Sequence, residues 1–189
     1  EACRSRKIRK LIVLMPPRSL KSLSISVAFP AFIMGHDPSA EITAISYSGD
    51  LARKFSMDTR FLMKSPGYQE IFPRTAIDPR KDTEMDFMTT ARGRRYATSI
   101  GGTMTGLGGN YIIIDDPMTP SDAKSATKRK SVLEWIDTTL PSRLNDKQNG
   151  VFILGMHRLH VDDVAGHLIA KGGWEVLEIP AIADTEKTY

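Results

Sequence analysis

Continuous apolar runs stand at residues 11–15, 111–114 and 151–155, and each stops on residues that can turn the backbone or carry chemistry. The first, Leu-Ile-Val-Leu-Met, ends at Pro16-Pro17. The second, Tyr-Ile-Ile-Ile, ends at Asp115-Asp116. The third, Val-Phe-Ile-Leu-Gly, leads to His157. Short apolar runs bounded by turn formers are the pattern of strands buried on both faces. β-rich stretches at 41–47 and 174–179 extend the set, and 86–90 with 95–99 form a hairpin around Gly93. Helical spacing fills the intervals: 22–34 with a bend near Pro30, 50–64 with Leu51, Phe55, Phe61 and Leu62, 121–139 capped by Ser121, and 161–171. Residues 35–39, 65–73, the polar 74–84 and the glycine-rich 101–109 are predicted to be connections. Buried strands alternating with helices predict an α/β domain with a mainly parallel central sheet and helices on both faces.

Composition narrows the class. A chain of 189 residues without a linker-like stretch suits one domain. Hydrophobic residues at 41% and charged residues at 25% exclude wholesale disorder. The longest apolar stretch, near 23–34, contains serines and Pro30 and is too short to span a bilayer, so no membrane partner is expected. Cys3 stands alone, which excludes an internal disulfide and fits a reducing compartment. Residues 1–10 hold five basic side chains against Glu1, and this flank carries the whole net charge of +4. The body from residue 11 onward is neutral, so the overall charge says little about what the body binds. The flank is expected to be an exposed approach to the first strand.

Three strand ends carry candidate chemistry. Between the first strand and its helix stands Met15-Pro-Pro17-Arg18-Ser19-Leu20-Lys21-Ser22. Amides at a helix start can face a phosphate, a lysine there can reach its oxygens, and the next serine can bind Mg²⁺. The usual G-x-x-x-x-G-K-[ST] pattern fails twice, because Met15 and Leu20 occupy the glycine positions. Read alone, Lys-Ser after a strand is an ordinary helix start. The second strand ends in Asp115-Asp116, where one carboxylate could serve a metal and the other a water; an Asx turn into Pro117 is the plainer alternative. The third strand leads to His157-Arg158-Leu-His160, then Asp162-Asp163. Lacking a third nitrogen or sulfur ligand, this segment reads as a helix start rather than a metal site. Arg92, Arg94 and Arg95 form one basic cluster and Lys124 with Lys128–Lys130 another; both read most simply as solvated faces.

The ordered set of segments resembles the ATPase half of the large terminase subunit of tailed phages. The stretches that carry it are Pro16–Ser22, Ser46–Asp50, Arg95–Thr103, Thr105-Gly106 and Ile112–Pro117, followed by Glu134-Trp135, Ser142–Asp146, His157–His160, Asp162-Asp163, Gly166-His167, and Gly173–Glu175 with Ile179–Ile182. They span nearly the whole chain. The resemblance implies a RecA-like ASCE P-loop fold and ATP hydrolysis with Mg²⁺, coupled to moving double-stranded DNA into a procapsid. It implies phosphate and Mg²⁺ contacts from Pro17 to Ser22, a sensing role for Arg18, a Mg²⁺-linked acid at Asp115, the catalytic carboxylate at Asp116, and a coupling position at His157. It also implies a homo-oligomeric ring, small-subunit and portal partners, and the cytoplasm of a bacterial host. Leu107 stands where many relatives carry an arginine, which leaves Arg92, Arg94 or Arg95 as candidate arginine fingers. An upstream adenine-binding segment and a C-terminal nuclease domain are expected to be absent, with 11–189 a single motor domain, and slow turnover is expected of the chain alone. A helicase-like motor and a nucleotide-binding domain without turnover are the alternatives.

Overall fold

A computed structural model describes residues 1–102 and 107–182. Thr103, Thr105 and Gly106 of the resembling segments lie outside the described residues. Eight strands among the described residues form one sheet: β1 (Lys10–Leu14), β2 (Glu41–Ser46), β3 (Ile77–Asp82), β4 (Asp86–Thr89), β5 (Arg94–Ser99), β6 (Tyr111–Asp115), β7 (Val151–Met156) and β8 (Glu175–Glu178). Their spatial order is β3-β4-β5-β2-β6-β7-β1-β8. Six are parallel, from β5 across to β8, while β3 and β4 run antiparallel at one edge. The sheet is therefore mainly parallel, as the apolar runs predict. The strand between β1 and β6 is β7.

Alternation along the strands splits the core in two. Ile12, Ile112, Ile114 and Leu154 face α4 (Pro120–Lys124), α5 (Ala126–Thr139) and α6 (Val164–Lys171). Val13, Ile113 and Ile153 face α1 (Phe29–His36), α2 (Gly49–Lys64) and α3 (Pro66–Ile71). Helices thus cover both faces. Ile12, Ile112, Ile113, Ile114 and Leu154 are fully buried, each worth roughly 1.5–3 kcal/mol of transfer free energy.

Four local expectations change. The polar stretch 74–84 contains β3, an edge strand whose single hydrogen-bonded side tolerates Pro79 and a row of charges. Residues 65–73 contain α3, started by Ser65, whose hydroxyl accepts from the Tyr68 amide, with Pro66 at the first helical position. The helix expected over 121–139 is two helices. Thr119, not Ser121, caps the first because Pro120 favours a start one residue earlier, and Ser125 breaks the run to cap the second. Finally, the flank is more than an exposed approach, although Lys7, Arg9 and Lys10 are exposed. Cys3 is buried, the Arg6 guanidinium lies 4.3 Å from the centre of the Tyr111 ring and donates to the Asn149 carbonyl at 2.8 Å, and Arg9 donates to the Gln148 carbonyl. Residues 1–10 are tied to the N-terminal ends of β6 and β7.

Candidate active site

The loop after β1 has two residues without amide hydrogens, Pro16 and Pro17, then Arg18 at φ 62° and Leu20 at φ 61°. Both lie in the left-handed region that favours glycine. Leu20 thus holds the backbone shape that the missing glycine would adopt freely. The Ser19 hydroxyl donates to the Pro16 carbonyl at 2.5 Å and closes the loop. Leu20 is 68% exposed and loses little packing if truncated. We expect Leu20→Gly to raise stability by up to about 1 kcal/mol, the strain relieved less the extra freedom of the unfolded chain. A thermal melt checks this: the midpoint should rise by a few degrees at most, and a fall would mean that the leucine side chain contributes packing.

Lys21 starts the following helix and turns inward. It is 6% exposed, and its ammonium pairs with Asp115 Oδ1 and, at 3.0 Å, with Asp116 Oδ2. Ser22 Oγ lies 3.4 Å from the same nitrogen. Asp115, at the end of β6 and 1% exposed, also accepts from Ser26 Oγ at 2.8 Å. Ser26 is one turn beyond Ser22 in a π-helical stretch, Leu23–Ala28; such wide turns recur where a helix must re-aim side chains. The repeat of serine four residues after Ser22 is the sequence signal that could have found it. Gly155 in β7 makes the approach possible, since a Cβ there would meet Ile25 Cδ1 at 2.6 Å and Asp115 Oδ1 at 3.5 Å.

Asp116 is held by its backbone. Its amide donates to the Gly155 carbonyl at 2.9 Å, its carbonyl accepts from the Tyr47 amide at 3.1 Å, and its φ is 45°. Its carboxylate reaches Lys21 on one side and lies 3.6 Å from His157 Nδ1 on the other. The loop from Pro16 to Leu23, with Asp116 and His157, encloses a cleft of about 490 Å³. Arg18 stands exposed in its lining and makes no side-chain hydrogen bond or ion pair among the described residues. The structure therefore gathers Pro17, Arg18, Ser19, Leu20, Lys21, Ser22, Asp116 and His157 around one cleft, with Asp115 beneath it.

The arginine cluster is elsewhere. Arg92 and Arg94 lie at the N-terminal end of β5, at the end of the parallel strands opposite the Lys21 loop. Arg92 is exposed in a turn, whereas Arg94 Nε and Nη2 donate to the Asp86 carboxylate at 2.6 and 2.7 Å. Arg95 must be corrected as a finger candidate: it is fully buried and cannot reach a neighbouring molecule. Its Nη2 donates to the Ser26 carbonyl at 3.0 Å, the same oxygen that accepts from Thr59 Oγ1 at 3.3 Å. Burial pushes its pKa down to about 9, and Nε and Nη1 have no partner among the described residues. Arg95 thus supports the turn that presents Ser26 to Asp115.

Asp163 caps α6, as the helix-start reading expects. It is fully buried and accepts from the amides of Leu159, His160 and Gly166 and from Arg158 Nε. Burial alone would raise its pKa, but these donors hold it below the usual carboxylate range. His160 Nδ1 accepts from the Asp162 amide at 3.0 Å. No protein-family model matches this chain, and no curated protein matches it.

Proposed function

We propose that this chain is a RecA-like ASCE P-loop ATPase, the motor domain of a phage terminase large subunit. It hydrolyses ATP with Mg²⁺ and moves double-stranded DNA as a homo-oligomeric ring, with small-subunit and portal partners in the bacterial host cytoplasm. The observation that carries the ATPase reading is the meeting of Lys21 with Asp115 and Asp116 at the ends of β1 and β6, with β7 between them. The terminase assignment rests on the ordered segments of the sequence.

The fit to Mg²⁺ is chemical. A cation, the Lys21 ammonium, already sits among Ser22 Oγ, Asp115 Oδ1 and Asp116 Oδ2. An all-oxygen donor set is what Mg²⁺ requires; Ser22 and Asp115 would hold it, and it would neutralise phosphate charge. Nucleotide binding draws Lys21 from the carboxylates to the β- and γ-phosphate oxygens, guided by the helix-start amides. Asp116, relieved of its ion pair, accepts a proton from the attacking water. A bond forms from that water oxygen to the γ-phosphorus as the bond to the β–γ bridging oxygen breaks, and ADP leaves with the electron pair. His157 positions the Asp116 carboxylate. Arg18, free at the rim, meets the γ-phosphate.

Titration calorimetry with a non-hydrolysable ATP analogue tests this. Binding should require Mg²⁺ and should be lost in Lys21→Ala; absence of binding with Mg²⁺ would overturn the proposal. The strained Leu20 and the caged Lys21 favour the second reading, a domain that binds nucleotide without turning it over. Binding without hydrolysis would support it.

A further inference from the structure

The basic flank has a feature that the nucleotide site leaves unexplained. Residues 7–10 line a cleft of about 550 Å³ at the N-terminal ends of β1, β7 and β8. Its lining places Lys7, Arg9 and Lys10 with Lys147, against the single carboxylate of Glu175. None of the four cations is ion-paired to a carboxylate among the described residues, and all four are exposed. Elsewhere carboxylates pair with neighbouring cations: Asp86 with Arg94 and Lys81, Asp82 with Arg60 and Lys64, Asp137 with Lys171. Three of the five cations of the flank thus line one cleft together with Lys147, facing one carboxylate.

The walls are also fixed relative to one another. Arg6 and Arg9 donate to the carbonyls of Asn149 and Gln148, which ties the flank to the loop that carries Lys147. That loop is braced by Asp146, whose carboxylate accepts from the Gln148 and Asn149 amides at 2.8 and 3.1 Å. Asp146 is thereby turned onto its own loop. Phe152 forms part of the apolar lining. A rigid cleft with cations on two segments suits a linear polyanion. Three of the four cations are lysines, which present point charges that suit phosphate oxygens without a planar fork.

We propose that this cleft is a second anion site, separate from the nucleotide site, that binds a chain of phosphates. The occupant we assign is the backbone of duplex DNA; that choice of source rests on the motor reading above, while the site itself rests on the cations. The two sites are held at opposite ends of β1, whose length from Lys10 to Leu14 is about 13 Å at the usual rise per residue. Gripping DNA at the foot of the strand that carries the phosphate loop would place the two ligands on one rigid element.

The test uses the full chain and a fluorescent 30-base-pair duplex, with binding measured across a salt series. The triple variant Lys7→Gln/Lys10→Gln/Lys147→Gln should bind at least tenfold more weakly at low salt. The slope of log affinity against log salt should fall by about 2–3, close to one unit for each phosphate that is no longer neutralised. Unchanged affinity and slope would overturn the site. Should the triple variant fail to fold, Lys147→Gln alone is read, with a slope change of about one expected and no change overturning the site. Competing tripolyphosphate and a polyglutamate of equal charge separate the sources. Displacement by tripolyphosphate well below the polyglutamate concentration is expected, and equal displacement would overturn phosphate selectivity. Tight tripolyphosphate binding without duplex binding would overturn the DNA assignment. ATP hydrolysis by the wild-type chain is measured separately. No hydrolysis with charge-dependent duplex binding fails the motor reading and keeps the cleft; hydrolysis without it does the reverse.

Discussion

Lys21→Ala should abolish ATP turnover and also destabilise the fold by about 3–5 kcal/mol, the usual cost of leaving one member of a buried ion pair alone. The second effect follows from burial. Asp115 is 1% exposed and has two side-chain partners among the described residues, the Lys21 ammonium and the Ser26 hydroxyl. Without the ammonium its charge rests on one neutral donor at a buried position. The two effects separate in the double variant Lys21→Ala/Asp115→Asn. Removing the second charge should recover most of the lost stability, because a neutral amide no longer needs a counter-charge. Turnover should stay absent, because neither group can serve a phosphate or a metal. Chemical denaturation of both variants and a steady-state assay read the two quantities independently. A stability loss below about 1 kcal/mol in the single variant would mean that Lys21 and Asp115 do not form a buried pair in solution.

Asp163→Ala should cost about 3 kcal/mol without touching the cleft around Lys21. Three amides and one guanidinium nitrogen converge on this fully buried carboxylate, and each buried donor left unpaired costs about 1–3 kcal/mol, partly recovered by water entry. The sign of the pH dependence follows from its lowered pKa. The carboxylate ionises more readily in the folded state than in the unfolded chain. Its stabilisation is therefore complete above the ordinary aspartate range, near 3.9, and is lost as pH falls through the lower folded value. Denaturation midpoints for wild type and Asp163→Ala should thus converge as pH falls below about 4. Parallel curves at a constant offset would show that the carboxylate acts by shape alone.

The parts of this architecture that could be read in the sequence are those where burial is total. β1, β6 and β7 appear as unbroken apolar runs because both faces of each strand are covered. The meeting of Lys21 with Asp115 follows from two polar motifs placed at the same end of parallel strands. The missed features are those where one side of the backbone, or one atom of a side chain, decides the outcome. β3 hides behind Pro79 and four charged residues, since an edge strand needs only one paired side. Arg95 reads as a solvated charge in Arg94-Arg95-Tyr96, yet alternation along β5 turns it inward beside Ala97. Ser26 looks like one serine among several, and only the π-helical turn aims it at Asp115. The flank reads as an exposed run of charge, although Cys3 and Arg6 anchor it. The spacing of Ser26 from Ser22 and the alternation around Arg95 are too short to stand out by themselves, and each feature depends on what another segment brings to it.

The proposed reaction turns on one event: Asp116 removes a proton from water at a phosphate held by Lys21. Steady-state hydrolysis of ATP with Mg²⁺, compared between wild type and Asp116→Asn, probes that event alone. We predict slow but measurable turnover in the wild type and a loss of at least about a hundredfold in Asp116→Asn, the typical contribution of a general base, with affinity for the ATP analogue retained. Equal turnover in the two proteins would contradict the role assigned to Asp116.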